Sequence, residues 1–368
     1  MYSYNNIRNL AAGSIFALFG VVLGGCHKSQ PDVSPQRVGR AVQDVLKSSF
    51  NVSLFNAAMH YTGLDDSLKG SGPYTIFAPE DAAFDSIGIS SVAQIDTMDK
   101  VKLTHLLKYH ILYGQNIPRL QVDNKPNNPF TNWDGKTLYI SRPYSGDAVN
   151  NNNFIVNGDT VVQADALAVN GVVHTLKTVL KYQTYNSCAD YLSADTSFSF
   201  FLAALRNFNL YSMLQSAGPI TVLAPTNNAF RGVGIDMDSI SRLDTVHYLP
   251  LLFKSYLMPS YLYFSAPRLN NYGIFYYSPD GSYQVTGSSW YDFSTGRASP
   301  GVAVSAYDPG THDPIQLFSM IDGNPITPYN GYPASIAAIR SQDNPAGNGV
   351  VIVIEETLAG PDACRRLH

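Results

Sequence analysis

The sequence predicts an α+β protein made of two tandem copies of one domain. Three observations carry that expectation. A strand-to-helix corner occurs twice, an apolar helical stripe follows each corner in register, and each copy closes on a β-branched strand opened by Asn-Gly.

The first corner is residues 74–84, Y-T-I-F-A-P-E-D-A-A-F. Thr75-Ile76-Phe77-Ala78 suits a short apolar strand. Pro79, with a fixed φ and no N–H, suits the first turn of a helix, and Glu80 and Asp81 suit the positive end of its dipole. Phe84 anchors the new helix to a core. Residues 221–230 repeat the corner as T-V-L-A-P-T-N-N-A-F, where Thr226 and Asn227 replace the carboxylates with capping oxygens. So specific a device, used twice, implies an internal duplication.

Register tests it. The corner offset is 146 residues, which carries Leu103, Leu106, Leu107 and His110 onto Leu249, Leu252, Phe253 and Tyr256. Each set falls at i, i+3, i+4, i+7, the stripe of a helix facing a core. The third landmark, Asn170-Gly171-Val172-Val173-His174, returns as Asn348-Gly349-Val350-Val351-Ile352. There the offset is 178, so the second copy carries about 32 additional residues between helix and closing strand.

With these residues in view, the chain resembles the fasciclin domain family. The resemblance rests on the corner, the Tyr109-His110 pair on the following helix, and the closing N-G-V-V-H strand ending at His174. It covers nearly all of the chain after about residue 37, as two tandem fasciclin-like domains. The second copy has Ser255-Tyr256 for the Tyr-His pair and Ile352 for His174. The resemblance implies that each domain is a β-wedge or sandwich with helices packed along it. It also implies a role in adhesion or extracellular binding, without catalysis or cofactor.

Taken in order, residues 1–25 read as a lipoprotein signal peptide. Arg8 supplies the positive start, and the apolar run 10–23 is shorter than the roughly 20 residues that span a bilayer as a helix. Leu23-Gly24-Gly25-Cys26 resembles a bacterial lipobox, with Cys26 lipidated as the mature N-terminus; an ordinary secretory signal is the alternative. Residues 26–36 form a polar tether. Domain one is expected over 37–185 and domain two over 186–368. In domain one, helices are expected near 38–47 and at 103–112, with Leu54, Phe55, Ala58 and Met59 at helical spacing between them. Strands are expected at 137–141, 154–156, 160–163 and 172–180, after an irregular stretch at 123–133.

Once Cys26 is assigned to lipid, two cysteines remain. Cys188 precedes the first helix of domain two and Cys364 follows its last strand. In an oxidising compartment a disulfide between them is expected, two unpaired thiols being the alternative.

Domain two opens with Phe198, Phe201, Leu202 and Leu205, again at helical spacing. After 257 it departs from its partner. Residues 259–345 are rich in Tyr, Phe, Gly, Pro and Ser and include Trp290, which implies hairpins and long loops. Tyr276, Trp290 and Tyr291 are candidate ligand-binding rings, because such side chains offer stiff amphipathic contact area.

The function classes narrow accordingly. The formal net charge is −4 and there is no basic patch of the kind nucleic-acid binding requires. His110 lies on an apolar stripe and exchanges with Tyr256, so it reads as a buried ring and not as an acid–base group. His105 and His110 point about 140° apart on a helix and cannot share a metal. No Cys/His set has zinc spacing, and no phosphate loop or nucleophile elbow is present. The expected function is a non-catalytic cell-envelope adhesion or extracellular ligand-binding module. It would be held to the membrane, outer membrane or cell surface, by the lipid anchor, and its ligand would be an extracellular protein or polysaccharide. The alternative is a glycan-binding accessory lipoprotein of an outer-membrane polysaccharide uptake system.

Overall fold

Apolar spacing and turn chemistry build the helical half of the first repeat. The computed structural model describes residues 39–142, 154–215, 218–248, 250–262, 264, 274–277, 283–292, 297–307, 314–321, 336–337, 339–355 and 357, the strands between 274 and 337 by their backbone. Helices α1 (Val42–Ser48) and α2 (Ser53–Thr62) bury Val42, Val45 and Leu46, and Leu54, Phe55, Ala58 and Met59. Gly63 ends α2 at φ 80°, a left-handed conformation that glycine adopts at no steric cost. After the short α3 (Leu64–Ser67) comes β1 (Tyr74–Pro79), whose six residues are all buried. Helices α4 (Asp81–Ser86), α5 (Val92–Ile95) and α6 (Lys100–Tyr109) follow, α6 capped by the Asp99 carboxylate accepting from Val101 N and Lys102 N.

The helix expected over 103–112 stops at Tyr109. His110 caps it, and β2 (Ile111–Tyr113) begins at once, pairing antiparallel with β1 through Ile76↔Ile111 and Tyr74↔Tyr113. Sheet pairing of a buried β-branched residue outweighs the continuing helical period. Strand β3 (Asn128–Thr131) lies inside the stretch expected to be irregular, and β4 (Thr137–Ser141) lies where a strand was expected. Then come β5 (Ile155–Val156), β6 (Asp159–Ala168) and β7 (Gly171–Leu176). Strand β6 runs past the expected 163 because it follows β7 through two register shifts, with Asp165 at φ 63° inside the second.

These seven strands form one sheet in the order β2-β1-β7-β6-β5-β4-β3. Its two ends approach each other: Trp133 N donates to Ile111 O, and Gln115 Nε2 donates to Thr131 O at 2.9 Å. Along β1, Tyr74, Ile76 and Ala78 enter one apolar cluster with the helices, while Phe77 enters a second with Leu138, Ile140, Phe154 and Val156. A strand covered on both faces reads as a continuous apolar run, and β1 does.

The second repeat uses α7 (Cys188–Ser193), α8 (Ser199–Asn207), β8 (Ile220–Pro225), α9 (Asn227–Gly232), α10 (Met237–Arg242), α11 (Leu251–Lys254) and β9 (Leu257–Pro259). It then forms β10 (Ile274–Tyr277), β11 (Tyr283–Asp292), β12 (Arg297–Tyr307), β13 (Pro314–Ile321) and β14 (Ile336–Ala337), a separate five-stranded sheet. Finally β15 (Ile339–Ala346) and β16 (Gly349–Ile354) return to the first layer. The order β15-β16-β8-β9 reproduces β6-β7-β1-β2. The parallel pairing does so residue for residue. Tyr74↔Gly171 through Pro79↔Leu176 becomes Ile220↔Gly349 through Pro225↔Ile354, at the two offsets of 146 and 178 read from the sequence.

Candidate functional site

The titratable residues singled out in the sequence are structural struts. His110 is 1% exposed; its Nδ1 donates to the Leu106 carbonyl at 2.8 Å and its Nε2 accepts from Leu180 N–H at 3.0 Å. His174 is fully buried in the opposite tautomer: Nε2 donates to Ile117 O at 3.0 Å and Nδ1 accepts from Asp165 N at 3.1 Å. Burial lowers both imidazoles to about 4, the backbone hydrogen bonds opposing it. Each ring therefore sits neutral with both nitrogens occupied, and neither has a lone pair or proton left for a substrate. The Tyr109 ring is equally buried, its hydroxyl accepting from Asn157 Nδ2 at 3.0 Å, and burial raises its pKa. In the second repeat Ser255, Tyr256 and Ile352 are buried at the matching positions.

One further polar position organises each repeat, marked in the sequence only as the Asn that opens the closing turn. Asn170 Oδ1 accepts from Val42 N at 2.8 Å while its Nδ2 donates to Leu68 O and Gly70 O. Asn348 repeats this with Cys188 N and Leu214 O. Each amide therefore joins the closing turn to the first helix and to the segment before the corner. The corner residues also differ from their expected role. The Asp81 carboxylate accepts from Leu54 N and Ser53 Oγ, capping α2 and not its own helix, and Asn227 Oδ1 accepts from Phe200 N of α8 in the same way. The N-cap position of α2 is Val52, which has no side-chain oxygen, so Leu54 N takes its cap from Asp81, 27 residues further on. Thr226 does cap its own helix, accepting from Ala229 N at 3.3 Å.

The repeats meet through side chains of the first repeat's sheet. Asn127 Nδ2 donates to Leu262 O at 2.8 Å, and the Tyr139 and Phe264 ring centroids are 6.0 Å apart. The Asn157-Gly158 turn lies against the second repeat so closely that a Cβ on Gly158 would stand 2.7 Å from Asp343 Oδ2. Lys181 Nζ donates to Gln342 O and Asn344 Oδ1.

The surface group with the most chemical character is a ledge of rings on the first repeat. Tyr113, at the end of β2, is 54% exposed. It is braced by Tyr74, in a T-shaped pair with centroids 5.5 Å apart, and by Trp133 at 5.0 Å with a 35° tilt. Trp133 and Asp134 lie on the β3–β4 turn, which Asn132 holds: Oδ1 accepts from Asp134 N and Lys136 N, and Nδ2 donates to Tyr109 O. Lys108 Nζ lies 5.6 Å from the Trp133 ring centre. Asp134 accepts from Tyr182 Oη at 2.5 Å and pairs with His105 Nδ1 at 2.7 Å. Burial and the Asp134 carboxylate push the Tyr182 phenol up to about 12.

Other expected positions stand as follows. Cys188 is a free thiol, fully buried in the second repeat's core, where burial pushes it up to about 12; its expected partner Cys364 lies outside the described residues. Cys26 also lies outside them. Tyr276 is on β10, and Trp290 and Tyr291 on β11, of the five-stranded sheet; their side chains lie outside the described residues. Among the described residues no His/Cys/Asp/Glu group could hold a metal ion, and no helix is long and apolar enough to cross a membrane.

Comparison with known proteins adds the following. The family model "Fasciclin domain" matches residues 50–182 and 196–285. The chain is 33% identical over 144 residues to transforming growth factor-beta-induced protein ig-h3 of Sus scrofa, covering 38% of this chain and 19% of that protein. It is 44% identical over 55 residues to the cell surface glycolipoprotein MPB83 of Mycobacterium bovis, covering 15% and 24%. A FAS1 domain pair from the insect cell adhesion molecule Fasciclin I aligns with 84% of this chain and 97% of that one, at 16% identity and a TM-score of 0.34. The chain spans less than a quarter of the length of the first curated relatives it matches.

Proposed function

Because the chain belongs to the fasciclin domain family, we propose that it is a cell-envelope adhesion or extracellular ligand-binding module that works through its surface. The observation that carries this reading is the engagement of His110 and His174. Both rings spend both nitrogens on partners inside the fold, so the residues best suited to chemistry stabilise the wedge instead. What remains for a partner is the exterior of the two repeats. Anchoring through Cys26 and a short tether would place them at the membrane surface, and the likeness to a cell surface glycolipoprotein supports that location. Domain limits of 37–185 and 186–368 are part of the same proposal. A second reading, a glycan-binding accessory of an outer-membrane polysaccharide uptake system, is favoured by the exposed Tyr113–Trp133 ledge.

One assay tests both. Protein beginning at residue 26 is fixed to beads and offered whole bacterial cells, extracellular proteins and soluble polysaccharides. Retention of cells or of a protein supports the adhesion module; retention of polysaccharide alone supports the accessory. Retention of none of these overturns both readings, as would turnover of a substrate abolished by a single exposed substitution.

A further inference from the structure

The charge of this chain is unevenly placed, and the imbalance falls beside the ring ledge. Overall the formal net charge is −4, yet residues 100–136 hold six Lys and Arg against two Asp. Helix α6 carries Lys100, Lys102 and Lys108, and no acid. Its apolar side, Leu103 and Leu107, is buried in the core. Lys108 and His105, one turn apart, meet the β3–β4 turn at Trp133 and Asp134. The Asp134 carboxylate, on the turn beside Trp133, is already engaged by His105 and Tyr182. The ledge therefore joins an exposed aromatic ring to an ammonium group held close by.

Resting on the binding-module reading, we propose that the Tyr113–Trp133 ledge is a subsite for an acidic polysaccharide, a glycan whose pyranose rings carry occasional carboxylates. The chemistry matches on two counts. Pyranose C–H groups are weakly positive and lie favourably over the negative face of an aromatic ring. A uronate carboxylate on that sugar meets Lys108, a compact point charge that forms charge-assisted hydrogen bonds without demanding planar geometry. The ledge is preorganised, because Tyr113 is braced by Tyr74 and Trp133, and the turn carrying Trp133 is fixed by the three hydrogen bonds of Asn132. A phosphodiester polymer fits less well, since it carries a charge on every residue against a chain of formal net charge −4, whereas the sparse carboxylates of such a glycan need only the local cation Lys108.

The test uses the full chain and three probes: the glucuronate-bearing polysaccharide xanthan, the neutral glucan pullulan, and single-stranded DNA. Xanthan is expected to bind at low salt and to weaken as salt rises, pullulan and DNA to bind at least tenfold less well. Tyr113→Ala and Lys108→Gln should each weaken xanthan binding about tenfold without moving the thermal transition, whereas the remote Lys69→Gln should leave it unchanged. The proposal falls if xanthan does not bind, if pullulan or DNA binds as well, or if both weakening variants bind like the parent. Failure here with cells still retained on the beads would remove the subsite and leave the adhesion reading standing.

Discussion

Acidification is expected to loosen the first repeat before the second. His110 and His174 are buried as neutral rings with pKa values near 4, against an ordinary 6.5. In the unfolded chain both rings gain a proton as pH falls through 6.5; the folded rings resist until about 4. Their stabilising contribution is therefore complete above about 6.5 and is lost progressively between 6.5 and 4. At 1.36 kcal/mol per pKa unit the loss is about 3 kcal/mol for each ring. That is a large part of the 5–15 kcal/mol typical of a folded domain. Asp165, 4.0 Å from His174 Nδ1, favours the protonated ring and moderates the loss on that side. The second repeat has Tyr256 and Ile352 at these positions and so carries no imidazole there. Peptide-resolved hydrogen exchange at pH 7 and pH 4.5, corrected for intrinsic rates, should show β1, β7 and α2 losing protection while β8 and β16 keep theirs. His174→Ile, which copies the second repeat, should remove about half of the pH dependence. Earlier loss in the second repeat, or an unchanged dependence in His174→Ile, would refute the reasoning.

Three other outcomes are expected. Asn170→Ala should destabilise by about 3 kcal/mol or more, because it leaves the buried Val42 N–H and two carbonyls without their partner; denaturant unfolding reads this, and a cost under about 1 kcal/mol would dismiss the strut. Cys188 should resist alkylation in the native protein and react once the chain is unfolded without reductant; failure to react then would point to a bonded sulfur and against the free thiol. Lys181→Met should separate the thermal transitions of the two repeats, which scanning calorimetry would record as a second peak, because three acceptors across the junction lose their shared donor. A single unshifted transition would show that the rings and the Gly158 contact hold the junction without it.

How much of this was legible in the sequence depended on how local the cause was. The corners, the helical stripes and the closing strands are set by neighbouring residues, and the duplication could be read to the residue from two offsets. The end of α6 was not, since the stripe through His110 continues in period while the pairing of Ile111 with Ile76 that stops it is 35 residues distant. Asp81 and Asn227 carried a true capping signal whose recipient lay on another helix. Asn170 and Asn348 were visible as turn residues, but their amides act on segments over 100 residues away. The Tyr113–Trp133 ledge needed the two ends of the sheet to meet, which no periodicity announces. Only its charge surplus on α6 was there to be noticed beforehand.

The four-strand arrangement shared by the two repeats has a consequence for how such a domain can vary. In both, the chain leaves the layer at one edge, after β2 or β9, and re-enters at the opposite edge, as β6 or β15. Whatever lies between has to travel around the wedge, but its length and shape are not dictated by the parallel pair at the centre. In one repeat that passage is three strands continuous with the sheet; in the other it is an independent five-stranded sheet, and the central register is the same in both. Closing a longer passage costs only logarithmically more entropy. The intervening segment is thus an exchangeable cassette, and grafting one repeat's passage onto the other is a route to new binding faces that leaves the core untouched.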